Sequence, residues 1–174
     1  MRSIICVLLL CLLPGAALAL PPLPPAENWV VYKNERFGYR LAYPESWFEP
    51  GPVSANGDGR AFMTPGGRAR IVVFGAHNSE RLSLREYRET LLRDYDGYDE
   101  LTYSPVGNTW FVLSGYRGDT IYYQKVMFSC GGRIINVLSI SFPAADKPRF
   151  APLVEGVEDR FRPGSGYDTP ANCG

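Results

Sequence analysis

The chain has 174 residues, of which 45% are hydrophobic, 13% aromatic and 21% charged. That balance supplies enough apolar surface for one compact domain and excludes a mainly disordered, collagen-like or coiled-coil chain. Eighteen basic residues oppose eighteen acidic ones, for a formal net charge of +0, so no long-range field draws the chain to nucleic acid or to anionic lipid.

Residues 1–19 hold one basic residue, Arg2, an apolar run from Ile4 to Leu13, then Pro14, Gly15 and the triplet Ala17, Leu18, Ala19. This pattern predicts a secretory signal peptide cleaved after Ala19. The run is about half of the roughly 20 residues that a bilayer-spanning helix needs, so retention as an anchor is the weaker reading and no later span is expected. Cys11 follows Leu8, Leu9 and Leu10 where a lipid-anchored cysteine needs small neighbours. The expected location is exported, periplasmic or secreted. Loss of the signal leaves Cys130 and Cys173 as the one possible intramolecular pair in an oxidising compartment. A disulfide tying the C-terminal tail, residues 163–174, to the body is expected, with reactive or metal-binding thiols as the alternative.

Residues 20–27 form a Pro-rich spacer of polyproline-II character, and the folded domain is expected over 28–162. Trp29 to Tyr32 and the alternating Tyr39, Leu41 and Tyr43 read as a hairpin around the turn at Asn34–Gly38. Glu45 to Gly59, rich in Pro, Gly and Asn, reads as loop. Arg60–Thr64 and Ala69–Ala76 read as strands, the second with apolar residues on both faces: Ile71 and Val73 on one, Val72 and Phe74 on the other.

At Ser83 the period changes to that of a helix: Leu84, Tyr87, Leu91 and Tyr95 share one face, and Ser83 with Glu86 spells a capping box, so a helix is expected over 83–95. Strands follow near 99–105, 108–116, 120–130 and 133–142. Gly131-Gly132 between the last two predicts a two-residue turn with positive φ at both positions. Phe150, Leu153, Val154, Val157 and Phe161 predict a second helix over 146–161, ended by Pro163-Gly164. Strands in hairpin order, with no persistent strand-helix-strand alternation, give an α+β class: an antiparallel β-sheet covered by two helices.

The segments Tyr32-Lys33-Asn34-Glu35-Arg36-Phe37-Gly38-Tyr39, Tyr43-Pro44-Glu45-Ser46-Trp47, Asn56-Gly57-Asp58-Gly59, Val112-Leu113-Ser114-Gly115 and Ile140-Ser141-Phe142-Pro143 resemble the PsbP-like α/β/α sandwiches over about 28–162. They are most similar to small exported bacterial members of uncharacterised role. The resemblance implies non-enzymatic work, since branches of the fold serve as an extrinsic subunit of photosystem II, as a partner of a nuclear transport GTPase and as exported lipoproteins. None of their partner-binding residues maps onto this chain.

The single histidine, His77, excludes an HExxH zinc site and any multi-histidine metal centre, and it reads as a rim residue at a strand end. Ser114 lies in a strand with no G-x-S-x-G elbow around it. The G-x-G of Gly57-Asp58-Gly59 lacks a third glycine and precedes a strand, which makes it a turn. Asp94, Asp96, Asp99 and Glu100 fail the calcium-loop pattern at Tyr98, Asp99 and Pro105. Arg117-Gly118-Asp119 reads as a hairpin tip, and Arg81, Arg85, Arg88 and Arg93 as a solvated helix face. No metal, cofactor or catalytic residue is expected. If a surface contact exists, Trp47 and Phe48 in the Pro-bounded loop, with Asn56, Asp58 and Arg60 of the next turn, are the candidate partner-binding residues, because aromatic anchors on loops carry binding energy; packing in the core or under the loop is the favoured reading of the aromatic pair. The expected function is an exported, non-catalytic interaction or assembly module acting on an envelope or extracellular protein. The alternatives are a cryptic hydrolase and a weak ion- or small-ligand-binding protein.

Overall fold

The computed structural model describes residues 28–94 and 98–164. The proposed signal peptide and spacer, Tyr95, Asp96 and Cys173 lie outside the described residues. Two strands, β1 (Trp29–Lys33) and β2 (Arg40–Pro44), pair antiparallel as a separate ribbon. The others, β3 (Glu49–Val53), β4 (Gly59–Met63), β5 (Arg70–His77), β6 (Glu100–Tyr103), β7 (Trp110–Arg117), β8 (Thr120–Ser129) and β9 (Ile134–Pro143), form one antiparallel sheet in the order β3-β4-β5-β9-β8-β7-β6. Helix α1 (Leu84–Asp94) falls between β5 and β6, and α2 (Lys147–Glu158) follows β9 through a short 3₁₀ turn, Ala144–Asp146.

The sheet is covered on both sides. Ile71 and Val73 of β5, Leu138 and Ile140 of β9 and Ile121 of β8 point to one face, where Phe150, Leu153 and Val157 of α2 and Leu41 and Tyr43 of β2 close the main core. Ile135 and Val137 of β9, Val126 and Phe128 of β8, and Phe111 and Leu113 of β7 point the other way, under Leu84, Tyr87 and Leu91 of α1. β5 and β9 lie in the middle with cover on both faces, which is why their sequences are apolar nearly throughout. The capping box at the start of α1 is formed: Ser83 N–H donates to Glu86 Oε2 at 2.7 Å and Glu86 N–H to Ser83 Oγ at 3.3 Å. Hydrogen bonding to the carboxylate from the Ser83 side chain and then its backbone N–H holds the Glu86 carboxyl below its ordinary pKa.

Three expectations are corrected. Part of the stretch read as loop, Glu49–Val53, is a strand, because β3 sits at the sheet edge and needs pairing on one side only, so Pro50 and Pro52 are tolerated there. The turn between β8 and β9 has four residues, not two: Ser129 pairs with Ile134, and Cys130, Gly131 and Gly132 all have positive φ (55°, 63° and 85°). The two-residue hairpin is at Gly118-Asp119, since Arg117 pairs with Thr120. Helix α2 ends at Glu158, and Phe161 is buried beyond it.

Candidate functional site

Trp47 and Phe48 do not project from a loop. They are 8% and 1% exposed and belong to the main core, as the favoured reading of the pair has it, and not on the surface where the conditional reading put them; an aromatic pair beside a ribbon of β-strands is more stable packed under it. Asn56, Asp58 and Arg60 are brought together, but as braces of the β3–β4 hairpin. Asp58 accepts from Ser54 Oγ at 2.6 Å and Asn56 Nδ2 at 2.7 Å, and Arg60 Nε donates to Gly51 O at 2.6 Å. Asn34 Nδ2 donates to Gly57 O at 2.8 Å and Arg36 to Asn56 O at 2.9 Å, so this hairpin is bolted to the β1–β2 turn. These residues are half-buried or exposed, and each is hydrogen-bonded within its own chain.

His77 ends β5, with its ring 5.1 Å from that of Phe37. Asp99 accepts from Gly118 N–H at 2.6 Å, which ties the start of β6 to the Gly118-Asp119 tip. Arg117 at that tip stacks on Tyr98 and Tyr122, 5.2 and 4.8 Å from the ring centres. Ser114 lies in β7. Cys130 stands in the β8–β9 turn in the left-handed region. Among the described residues, no group of three or more His, Cys, Asp or Glu is arranged to hold a metal ion, and no helix is long and apolar enough to cross a membrane.

The feature that sequence reasoning missed lies at the β6 end of the sheet. The two edges differ. On β3, two prolines interrupt the row of backbone N–H groups. β6 carries none, and it leaves Leu101 37% and Tyr103 56% exposed, with Val106 58% exposed just beyond it. β6 approaches β7 closely only because residue 115 is glycine: a Cβ there would fall 1.9 Å from the Glu100 carbonyl oxygen. Beside β6, between α2 and the sheet, opens a slot of about 250 Å³. Its walls include Tyr103, Tyr116 and Tyr123, its apolar floor Ile121 and Phe142, and its α2 side Val154, Glu155 and Glu158.

Charge in the slot is set by a few groups. Lys125 Nζ pairs with Glu158 Oε1 at 2.5 Å. Lys147 donates to the Tyr116 hydroxyl at 3.5 Å, with its ammonium 6.0 Å from the Tyr116 ring centre. The Tyr123 hydroxyl is buried with no hydrogen bond of ordinary geometry among the described residues. Burial, followed by the neighbouring Glu158 carboxylate, pushes its pKa well above the ordinary phenol value. No motif marks this slot in the sequence, because its walls come from β6, β7, β8 and α2.

No protein-family model and no curated protein sequence matches the chain. Solved structures do. The solution structure of cyanobacterial PsbP (CyanoP) from Synechocystis sp. PCC 6803 superposes with a TM-score of 0.56 at 13% identity, covering 87% of this chain and 98% of that one. The fold is PsbP-like. A crystal structure from Bacteroides thetaiotaomicron VPI-5482 is similar over 78% of this chain and 47% of that one, at 14% identity and a TM-score of 0.47. The expected sandwich class therefore holds; at these identities the likeness concerns architecture alone, so site residues of the PsbP-like fold are read from this chain's own geometry.

Proposed function

We propose that the chain is an exported, non-catalytic binding module that takes an extended, basic segment of a partner protein along β6. The observation that carries this reading is the asymmetry of the sheet edges. A strand edge without proline, flanked by exposed Leu101, Tyr103 and Val106, is a template for strand addition, whereas prolines blunt its opposite number. Main-chain pairing supplies affinity there, and the adjoining slot supplies specificity. Glu155 and Glu158 line it with Lys147, while Lys125 reaches Glu158 from outside the lining, and the tyrosine walls favour a cation, as Lys147 on Tyr116 already illustrates. A Lys or Arg side chain of the bound segment fits that chemistry.

Export rests on the signal-type residues 1–19. The reading also includes the Cys130–Cys173 disulfide: Cys130 has no titrating thiol, and Cys173 is the one partner that the mature chain offers. Absence of catalysis is supported by where the reactive types are spent, His77 against Phe37 and Asp99 on the Gly118 amide.

Selection of peptides from a random library against the whole mature chain tests the proposal, followed by hydrogen exchange on the complexes. The expected peptides are basic, protect the amides of Glu100–Tyr103 and lose binding in Thr102→Pro. Gly115→Ala, which pushes β6 away without touching the main core, should weaken them as well. Peptides that bind both variants as they bind the wild type, or protect amides elsewhere, would overturn it.

A further inference from the structure

On the other flank of α2, away from β6, a second pocket of about 200 Å³ opens between the first turn of that helix, the segment after β2 and the β4–β5 connection. Its chemistry is one-sided. Trp47, Arg68 and Arg149 line it, and Trp47 is buried, with 8% of its surface exposed. The Trp47 indole N–H and the Arg149 Nε–H are both shut off from solvent, and neither meets an acceptor among the described residues. A buried donor left without an acceptor forfeits a hydrogen bond it would have made to water. Two such donors on one small pocket point to an acceptor that comes from outside.

Charge narrows the choice of acceptor. Arg68 is already committed, its Nε and Nη2 both donating to Asp146 Oδ2 at 3.0 and 2.6 Å. Asp146 precedes α2 but makes no capping bond to it, because its carboxylate is held by Arg68. Arg149 has an aromatic neighbour, Phe150, 5.6 Å from its guanidinium carbon, and no carboxylate partner among the described residues. Two guanidiniums against one carboxylate leave a surplus of one positive charge, and the N-terminal end of α2 adds a partial charge of the same sign.

We propose that the pocket formed by Trp47, Arg68 and Arg149 binds a carboxylate group, whose planar pair of acceptor oxygens meets the indole N–H and the Arg149 guanidinium together. A monoanion matches the surplus of one charge, and its two coplanar oxygens let one accept from the indole N–H while the other accepts a charge-assisted bond from the guanidinium. The carboxylate comes either from a small free acid or from the C-terminus of a partner chain. The site stands independently of the β6 edge.

Trp47 is its own reporter, since its indole N–H gives a resonance separate from those of Trp29 and Trp110. Acetate is titrated into the isotope-labelled whole protein, with chloride holding ionic strength constant. The Trp47 indole signal should move and saturate, with a Kd of about 1 mM or weaker, while Trp29 and Trp110 stay in place. Arg149→Gln, checked for its fold by thermal melting, should weaken the effect about 10-fold or more, as expected for a lost charge-assisted hydrogen bond. A short peptide with a free C-terminus is compared with its C-terminal amide: a tighter acid and a silent amide identify a chain terminus, and an acid no tighter than acetate identifies a small free carboxylate. A Trp47 signal that stays still, three indole signals drifting together without saturation, an Arg149→Gln titration equal to wild type, or phosphate acting more strongly than acetate would each overturn the assignment.

Discussion

The two faces of the central sheet are covered by one helix each, yet they are built to different standards. Under α2, Phe150, Leu153 and Val157 are fully buried, and the β1–β2 ribbon extends the cover as far as Trp47 and Phe48. Under α1, Leu84, Tyr87 and Leu91 reach the sheet but stay partly exposed, over a smaller cluster of six buried residues. The arrangement of the polar groups follows the same division. On the α2 side, Asn136 is fully buried and completely used, donating to Met127 O and Ser129 Oγ and accepting from Gly164 N–H. The helix on the α1 side is held at its exposed start by the Ser83–Glu86 box. The difference teaches that the α2 layer carries the stability of the domain. It also holds both candidate pockets, which are therefore built against a rigid wall.

The most direct way to break this comparison is to remove the same volume from each helix. Leu153→Ala should cost about 2–5 kcal/mol in urea melts, and Leu91→Ala only about 1 kcal/mol, because a partly exposed side chain has less transfer energy to lose and leaves no closed cavity. Equal losses would erase the distinction. Next in size is Asn136→Leu, expected to cost about 1–3 kcal/mol by leaving the Gly164 amide without its acceptor, again by urea melts.

Alkaline pH sharpens the contrast. Burial, then the neighbouring Tyr32, raises the pKa of Tyr39, and burial, then Glu158, raises that of Tyr123; both phenols belong to the α2 layer. A phenol whose folded pKa is raised contributes stability that is fully present below its unfolded value near 10 and is lost as pH rises from there toward the folded value. Melts between about pH 9 and 11 should therefore show stability falling, by at most about 1.4 kcal/mol per pH unit for each phenol. Tyr39→Phe should flatten that slope, and a slope unchanged in this variant would show that the buried phenols are not its source.

The smallest effects belong to the exposed start and outer face of α1. Glu86 has a lowered pKa, so its capping contribution is present above the ordinary glutamate value of about 4.3 and is lost as pH falls through the folded value. Hydrogen exchange should show the first turn of α1 losing protection on acidification before the β5–β9 ladder does, and Glu86→Gln should remove that pH dependence. Arg85→Ala, on the solvated outer side, should cost well under 1 kcal/mol in the same urea melts.

Much of this molecule was legible in its sequence wherever the signal is local. The capping box at Ser83–Glu86, the apolar stripe of α2, the two-sided pattern of β5 and the hairpin order that implies an antiparallel sheet each depend on residues within a few positions of one another. The period of a helix or strand is imposed by the backbone itself, so it shows in the sequence. Tertiary structure alone decided the rest. Glu49-Pro50-Gly51-Pro52-Val53 is a strand only because β4 lies beside it and nothing lies beyond it. Trp47, for which its Pro-bounded loop leaves both core and surface open, goes inside because α2, a hundred residues later in the chain, provides a wall for it, and the same wall turns its indole N–H into a pocket donor. The slot at β6 likewise takes its walls from segments as far apart as Thr102 and Glu158. Which face of an element is covered, and which edge of a sheet stays open, depends on contacts between residues far apart in the chain, and neither period nor composition records those contacts.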